Sequence, residues 1–93
     1  MLLDPLVRDF VVYLEAELGY SPSTARSYRH DLHQLSEFLL SRGVSPAPSQ
    51  HTTRLVREWV LSMHRRGLVN NTVARHMYAL RSFWTYLQKI GVA

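Results

Sequence analysis

The sequence contains no cysteine, which excludes a disulfide framework, thiolate chemistry and Cys-ligated metal centres, and fits a cytoplasmic location. No apolar run approaches the ~20 residues that a spanning helix requires. Asp4, Arg8, Asp9, Glu15 and Glu17 interrupt the start of the chain, so no signal-peptide core is formed there. There is no Gly-rich phosphate loop, no Gly-x-Ser-x-Gly elbow and no His-Glu-x-x-His motif, which leaves nucleotide hydrolysis, a serine nucleophile and a zinc hydrolase without support. His30 and His33 stand three apart on one helix face, but they lack a Cys or acidic partner at metal-ligand spacing, and no metal or other cofactor is expected.

Acidic residues are also missing from one part of the chain. None follows Glu58, whereas Arg65, Arg66, Arg75, Arg81 and Lys89 do, so the last segment carries a local +5. Residues 1–20 are the opposite, with one Arg against four acids. This polarity points to an anionic partner for the C-terminal half. At 93 residues and 46% hydrophobic content, the chain suits a single small globular domain.

Four glycines and four prolines divide it into four segments, each with helical spacing. The first runs from about Asp4 to Leu18, with Leu6, Val7, Phe10, Val11, Leu14 and Leu18 inward and Gly19 as the stop. The second is capped by Ser21, has Pro22 at its first position and runs to Arg42, with Gly43 beyond. Its apolar stripe is Ala25, Tyr28, Leu32, Leu35, Phe38 and Leu39, and Tyr20 packs beside its start. Val44 to Gln50 reads as a loop. The third segment starts near Thr52 or Thr53 and ends before Gly67, with Leu55, Val56, Trp59, Val60 and Met63 inward. The fourth runs from Asn70 or Asn71 to about Ile90, with Val73, Met77, Leu80, Phe83, Trp84 and Leu87 inward. No segment alternates like a strand, so the expected fold is all-α with short connections.

Sliding the chain by 48 residues superposes Thr24 on Thr72, Leu32 on Leu80, Leu39 on Leu87, Gly43 on Gly91 and Val44 on Val92. The second and fourth helices are therefore expected to play equivalent roles. Helix starts carry unpaired N–H groups and partial positive charge, which suits phosphate. Ser23, Thr24, Arg26, Ser27 and His30 add hydroxyls and charge to the second helix. Asn71, Thr72, Arg75, His76 and Ala79 form the corresponding set on the fourth. The expectation is that the two opening turns stand side by side as prongs on a duplex, with Ser, Thr, Asn and Arg setting register on phosphates.

Two stretches carry a resemblance. "SPSTARSYRHDLHQLSEFLLSRGV", Ser21 to Val44, resembles the Ser-x-x-Thr-x-x-x-Tyr-x-x-Asp-Leu signature of the N-terminal core-binding domain of tyrosine recombinases, the phage-integrase and Xer-type family. It supplies Ser21, Thr24, Tyr28, Asp31 and Leu32. "NNTVARHMYALRSFWTYLQKIGV", Asn71 to Val92, resembles that domain's last helix through Thr72, Val73, Arg75, Met77, Ala79, Leu80, Arg81 and Phe83. The resemblance implies a four-helix, SAM-like orthogonal bundle forming half of a C-shaped clamp on double-stranded DNA. It assigns DNA contacts to the two residue sets above and to Arg81, and it puts Tyr28, Leu32, Leu80 and Phe83 in the core. Asp31 is expected to order a neighbouring Arg or a helix end rather than touch DNA, because a carboxylate facing phosphates is repelled. The first helix, acidic and expected further from the duplex, resembles the one that often contacts a neighbouring recombinase protomer.

The same resemblance places strand transfer through a 3′-phosphotyrosine in a separate catalytic domain of the parent chain, with no metal or nucleotide cofactor. No residue of this sequence is expected to be catalytic. Two other readings use the same architecture: a helical protein-interaction module that does not bind DNA, and a helix-turn-helix regulator. The regulator is disfavoured by the length of the second and fourth helices.

Overall fold

The computed structural model describes residues 3–44 and 53–92. Four helices are formed among them: α1 Leu3–Ala16, α2 Pro22–Ser41, α3 Thr53–Arg65 and α4 Asn70–Lys89. The all-α expectation holds, and no described helix is long and apolar enough to cross a membrane. The expected loop from Val44 to Gln50 lies, beyond Val44 itself, outside the described residues, as does Thr52.

Local chemistry sets the boundaries. Ser21 takes the extended backbone of an N-cap, and its Oγ accepts the Thr24 N–H at 3.2 Å. Pro22 follows in the first turn, where a missing N–H costs nothing. At the other end Gly43 adopts φ +70°. The Val44 N–H then returns to the Leu39 carbonyl at 2.9 Å and the Gly43 N–H to the Leu40 carbonyl at 3.0 Å. The end of α4 repeats this closure through Gly91 and Val92, with bonds to Gln88 and Leu87.

Phe10 of α1 sits at the centre of the core, with its ring 6.3 Å from Tyr28 of α2 and 5.3 and 5.4 Å from Phe83 and Tyr86 of α4. Leu6, Val7, Leu14, Leu32, Leu39, Leu80 and Leu87 close around it. At roughly 1.5–3 kcal/mol for each fully buried large apolar side chain, this cluster is the main source of cohesion. α3 adds Trp59 and Met63, its two fully buried residues. Its Leu55, Val56 and Val60 are only half-buried, as are Met77 and Trp84 of α4 and Tyr28 of α2.

One expected core residue is misplaced. Leu18 is exposed, because α1 ends at Ala16 and the Glu17 and Leu18 N–H groups both turn back to the Tyr13 carbonyl. The chain leaves the helical path before Leu18 could reach the apolar stripe.

Candidate nucleic-acid interface

Along the outer side of α2, Ser23, Arg26, Ser27 and His30 are all exposed. At about 100° per residue these positions share one face. The hydroxyls near the helix start have local work as well. Ser21 Oγ donates to Thr24 Oγ1 at 2.9 Å, so Thr24 belongs to the cap, and Ser27 Oγ donates to the Ser23 carbonyl at 3.2 Å. Thr24 nevertheless remains exposed.

The α4 set divides. Asn71, Arg75 and Arg81 are exposed and Thr72 is half-buried. Ala79 is fully buried and His76 is 3% exposed, which corrects their assignment to a DNA-facing surface. The reason is angular. A stripe of 72, 76 and 79 shares the side of Val73, Leu80 and Phe83, and that side faces the core. His76 packs its ring 5.8 Å from Trp59, and its Nδ1–H donates to the Thr72 carbonyl at 2.8 Å.

Asp31 is the centre of the α2–α4 contact. Its carboxylate is completely buried and accepts from Arg75 Nε (Oδ2, 3.1 Å) and Nη2 (Oδ1, 3.0 Å) in a two-pronged pair. His76 Nδ1 stands 3.6 Å from Asp31 Oδ1. The expectation that Asp31 orders a neighbouring Arg is met, with Arg75 as the partner. The Arg75 side chain is still 52% exposed, so its guanidinium is pinned on one edge and open to solvent on the other.

Contacts across this pair run in opposite senses. Asp31 meets Arg75, whereas Tyr28, earlier on α2, meets Tyr78, later on α4, with rings 6.2 Å apart and edge-on. Both contacts lie in the middle stretches of the two helices, where α2 and α4 cross. Ser23 lies roughly 12 Å from Asp31 along α2, and Asn71 roughly 6 Å from Arg75 along α4. Arg26 and His30 of α2 and Arg75 of α4, which flank these contacts, are exposed.

On that surface the sequence reading missed Ala74 and Tyr78. Both are exposed, Tyr78 by 54%. The signal was present, since the 48-residue shift superposes Arg26 on Ala74 and His30 on Tyr78. Beneath Tyr78, burial and the neighbouring Tyr20 and Tyr78 phenols push the Tyr28 hydroxyl up to about 12, so it stays neutral.

Cations on the described surface differ in how they are engaged. Arg42 and Arg54 both pair with Glu58, Arg75 with Asp31, and Lys89 lies over the Tyr13 ring. Among the described residues Arg26 and Arg81 have no carboxylate partner within ion-pair distance.

The family described as the phage integrase N-terminal SAM-like domain matches residues 7–91. Similar curated proteins include a tyrosine recombinase XerC from Oceanobacillus iheyensis, 35% identical over 96% of this chain and 29% of the relative. Another XerC, from Pelotomaculum thermopropionicum, is 34% identical over 89% of this chain and 28% of its own length. A tyrosine recombinase XerD from Bradyrhizobium diazoefficiens is 36% identical over 84% and 24%. The chain therefore spans under a third of the length of these relatives. No solved structure matches.

Proposed function

This chain belongs to the phage integrase N-terminal SAM-like domain family found in tyrosine recombinases, and from that membership we propose that it is the DNA-binding half-clamp of a site-specific recombinase. It grips a recombination half-site through the outer faces of α2 and α4. The observation that carries this reading is the α2 face, where Ser23, Arg26, Ser27 and His30 are exposed together and Arg26 has no carboxylate partner among the described residues. Arg26 and the open edge of Arg75 supply phosphate or guanine contacts, while Asn71 and the hydroxyls set register. Ala74, with almost no side chain, lets α4 approach the groove closely, and Tyr78 offers an aromatic edge beside it. Asp31 touches no DNA. It holds the Arg75 guanidinium in place.

The partners of this reading are double-stranded DNA, the catalytic domain of the parent chain and neighbouring recombinase protomers, all in the cytoplasm. Strand transfer belongs to the catalytic domain, and no residue of this chain is assigned a catalytic role.

The test is a titration of a labelled duplex with this chain across a salt series. Expected are dissociation constants of roughly 10⁻⁴–10⁻⁶ M on a non-cognate duplex at physiological salt, and a clearly negative log–log salt slope. Arg26→Ala should reduce that slope by about 1. No binding at low salt, together with a stable self-complex, overturns the reading in favour of a protein-interaction module.

A further inference from the structure

α2 is bordered on both flanks. On one, Asp31 holds Arg75 of α4; on the other, Ser36 Oγ donates to Asp4 Oδ1 of α1 at 3.4 Å. Arg29 precedes Ser36 by seven residues and so has nearly the same angular position, on the α1 side. There α1 and α2 enclose a cleft of about 270 Å³ lined by Asp4, Val7, Arg8, Arg29 and His33. Arg8 is the one basic residue of an otherwise acidic helix.

We infer that Arg8, Arg29 and His33 form an anion-binding subsite that takes a backbone phosphate of the bound duplex and brings α1 onto the DNA. This rests on the half-clamp reading and extends it beyond α2 and α4. Three observations support it. The Asp4 carboxylate in the cleft accepts from the Ser36 hydroxyl rather than from either Arg, and Glu37 lies 3.0 Å from His33 Nε2. Arg8 and Arg29 have no carboxylate within ion-pair distance among the described residues, although they border one cleft. A phosphodiester offers acceptors that match two guanidinium forks. The third is continuity, because Arg26 and His30 carry the same exposed ridge of α2 away from the cleft towards α4. The cationic surface thus crosses three helices rather than two.

The test uses the same salt series with Arg8→Ala, Arg29→Ala, Arg8→Lys and, as reference, Arg26→Ala. Thermal unfolding of each variant establishes that it is folded. Expected are slopes reduced by about 1 for Arg8→Ala and for Arg29→Ala, by about 2 for the double variant, and unchanged for Arg8→Lys. A wild-type slope for Arg8→Ala beside a reduced one for Arg26→Ala overturns the subsite and leaves the half-clamp standing. Wild-type slopes for both overturn the two together. Inorganic phosphate is titrated in parallel. If it perturbs Arg8 and Arg29 while Arg8→Ala leaves duplex binding unchanged, the cleft holds free anions and the inference fails.

Discussion

α2 and α4 share a sequence pattern, and they agree inside the protein while differing outside it. Leu32 and Leu80, Leu39 and Leu87, and Phe38 and Tyr86 are equivalent pairs under the 48-residue shift, and all six are buried. Gly43 and Gly91 end the helices with the same pair of backbone hydrogen bonds. Away from the core the pairs diverge. Arg26 matches Ala74, His30 matches Tyr78, and the capping Ser21 matches Val69, which makes no side-chain cap bond, while Asp31 and Ala79, both fully buried, are the exception inside the core. The repeated pattern specifies packing, and each helix is free to differ where packing does not constrain it.

The largest break in that equivalence is the ion pair. Arg75→Ala leaves the Asp31 carboxylate buried without its guanidinium, and an uncompensated buried charge costs about 3–5 kcal/mol. Ser27→Ala, at the matching position on α2, should change stability by no more than about 0.5 kcal/mol, since its exposed hydroxyl only bonds back to the Ser23 carbonyl. Urea unfolding of the two variants gives the comparison. Equal losses would mean that the crossing is held symmetrically and that Asp31 is not its anchor. The same reasoning makes Arg75→Ala a poor probe of DNA contact, because lost affinity and lost fold would arrive together. Arg26→Ala, on the exposed ridge, avoids this.

Most of the fold was legible in the sequence. Gly, Pro and the Ser21 cap punctuate it, and apolar residues at i, i+4 and i+8 report which face is buried. The candidate site was legible in part. On α2 the polar residues of the candidate site are widely spaced from the apolar stripe, and they are exposed. On α4 the stripe through Thr72, His76 and Ala79 is polar or small yet lies on the core side, so residue type and position gave opposite answers. A buried histidine with a backbone acceptor and an aromatic neighbour satisfies its polar atom inside the protein. The pairing of Asp31 with Arg75 across α2 and α4 depends on how α1 and α3 route the chain, which no local pattern encodes.

A smaller effect separates the two helix starts. Ser21→Ala removes the acceptor for the Thr24 N–H and should cost about 1 kcal/mol. Val69 already has cap geometry, with φ −72° and ψ 155°, and is exposed by 66%, so no core contact is lost when it is replaced. Val69→Ser should therefore stabilise the protein by roughly 0.5–1 kcal/mol. Thermal unfolding of the two variants should give shifts of opposite sign. A destabilised Val69→Ser would show that α4 begins differently from α2 for a reason other than its missing cap.

The smallest effect at neutral pH is at Tyr28, whose equivalent on α4 is His76. Tyr28→Phe should change stability by under about 0.5 kcal/mol at pH 7, where the phenol is neutral in both folded and unfolded chains. Alkaline conditions separate the variants. Burial raises the folded Tyr28 phenol from 10.0 to about 12, so the folded state holds its proton more tightly than the unfolded chain does. The stability this confers is fully present below pH 10 and is lost progressively as pH rises through about 12. Urea unfolding at a series of pH values should show a steeper alkaline decline for wild type than for Tyr28→Phe. Parallel declines would mean that Tyr28 titrates like a solvent-exposed phenol, and that the α2 side of the crossing is wetter than the α4 side, where His76 and Trp59 are sealed together.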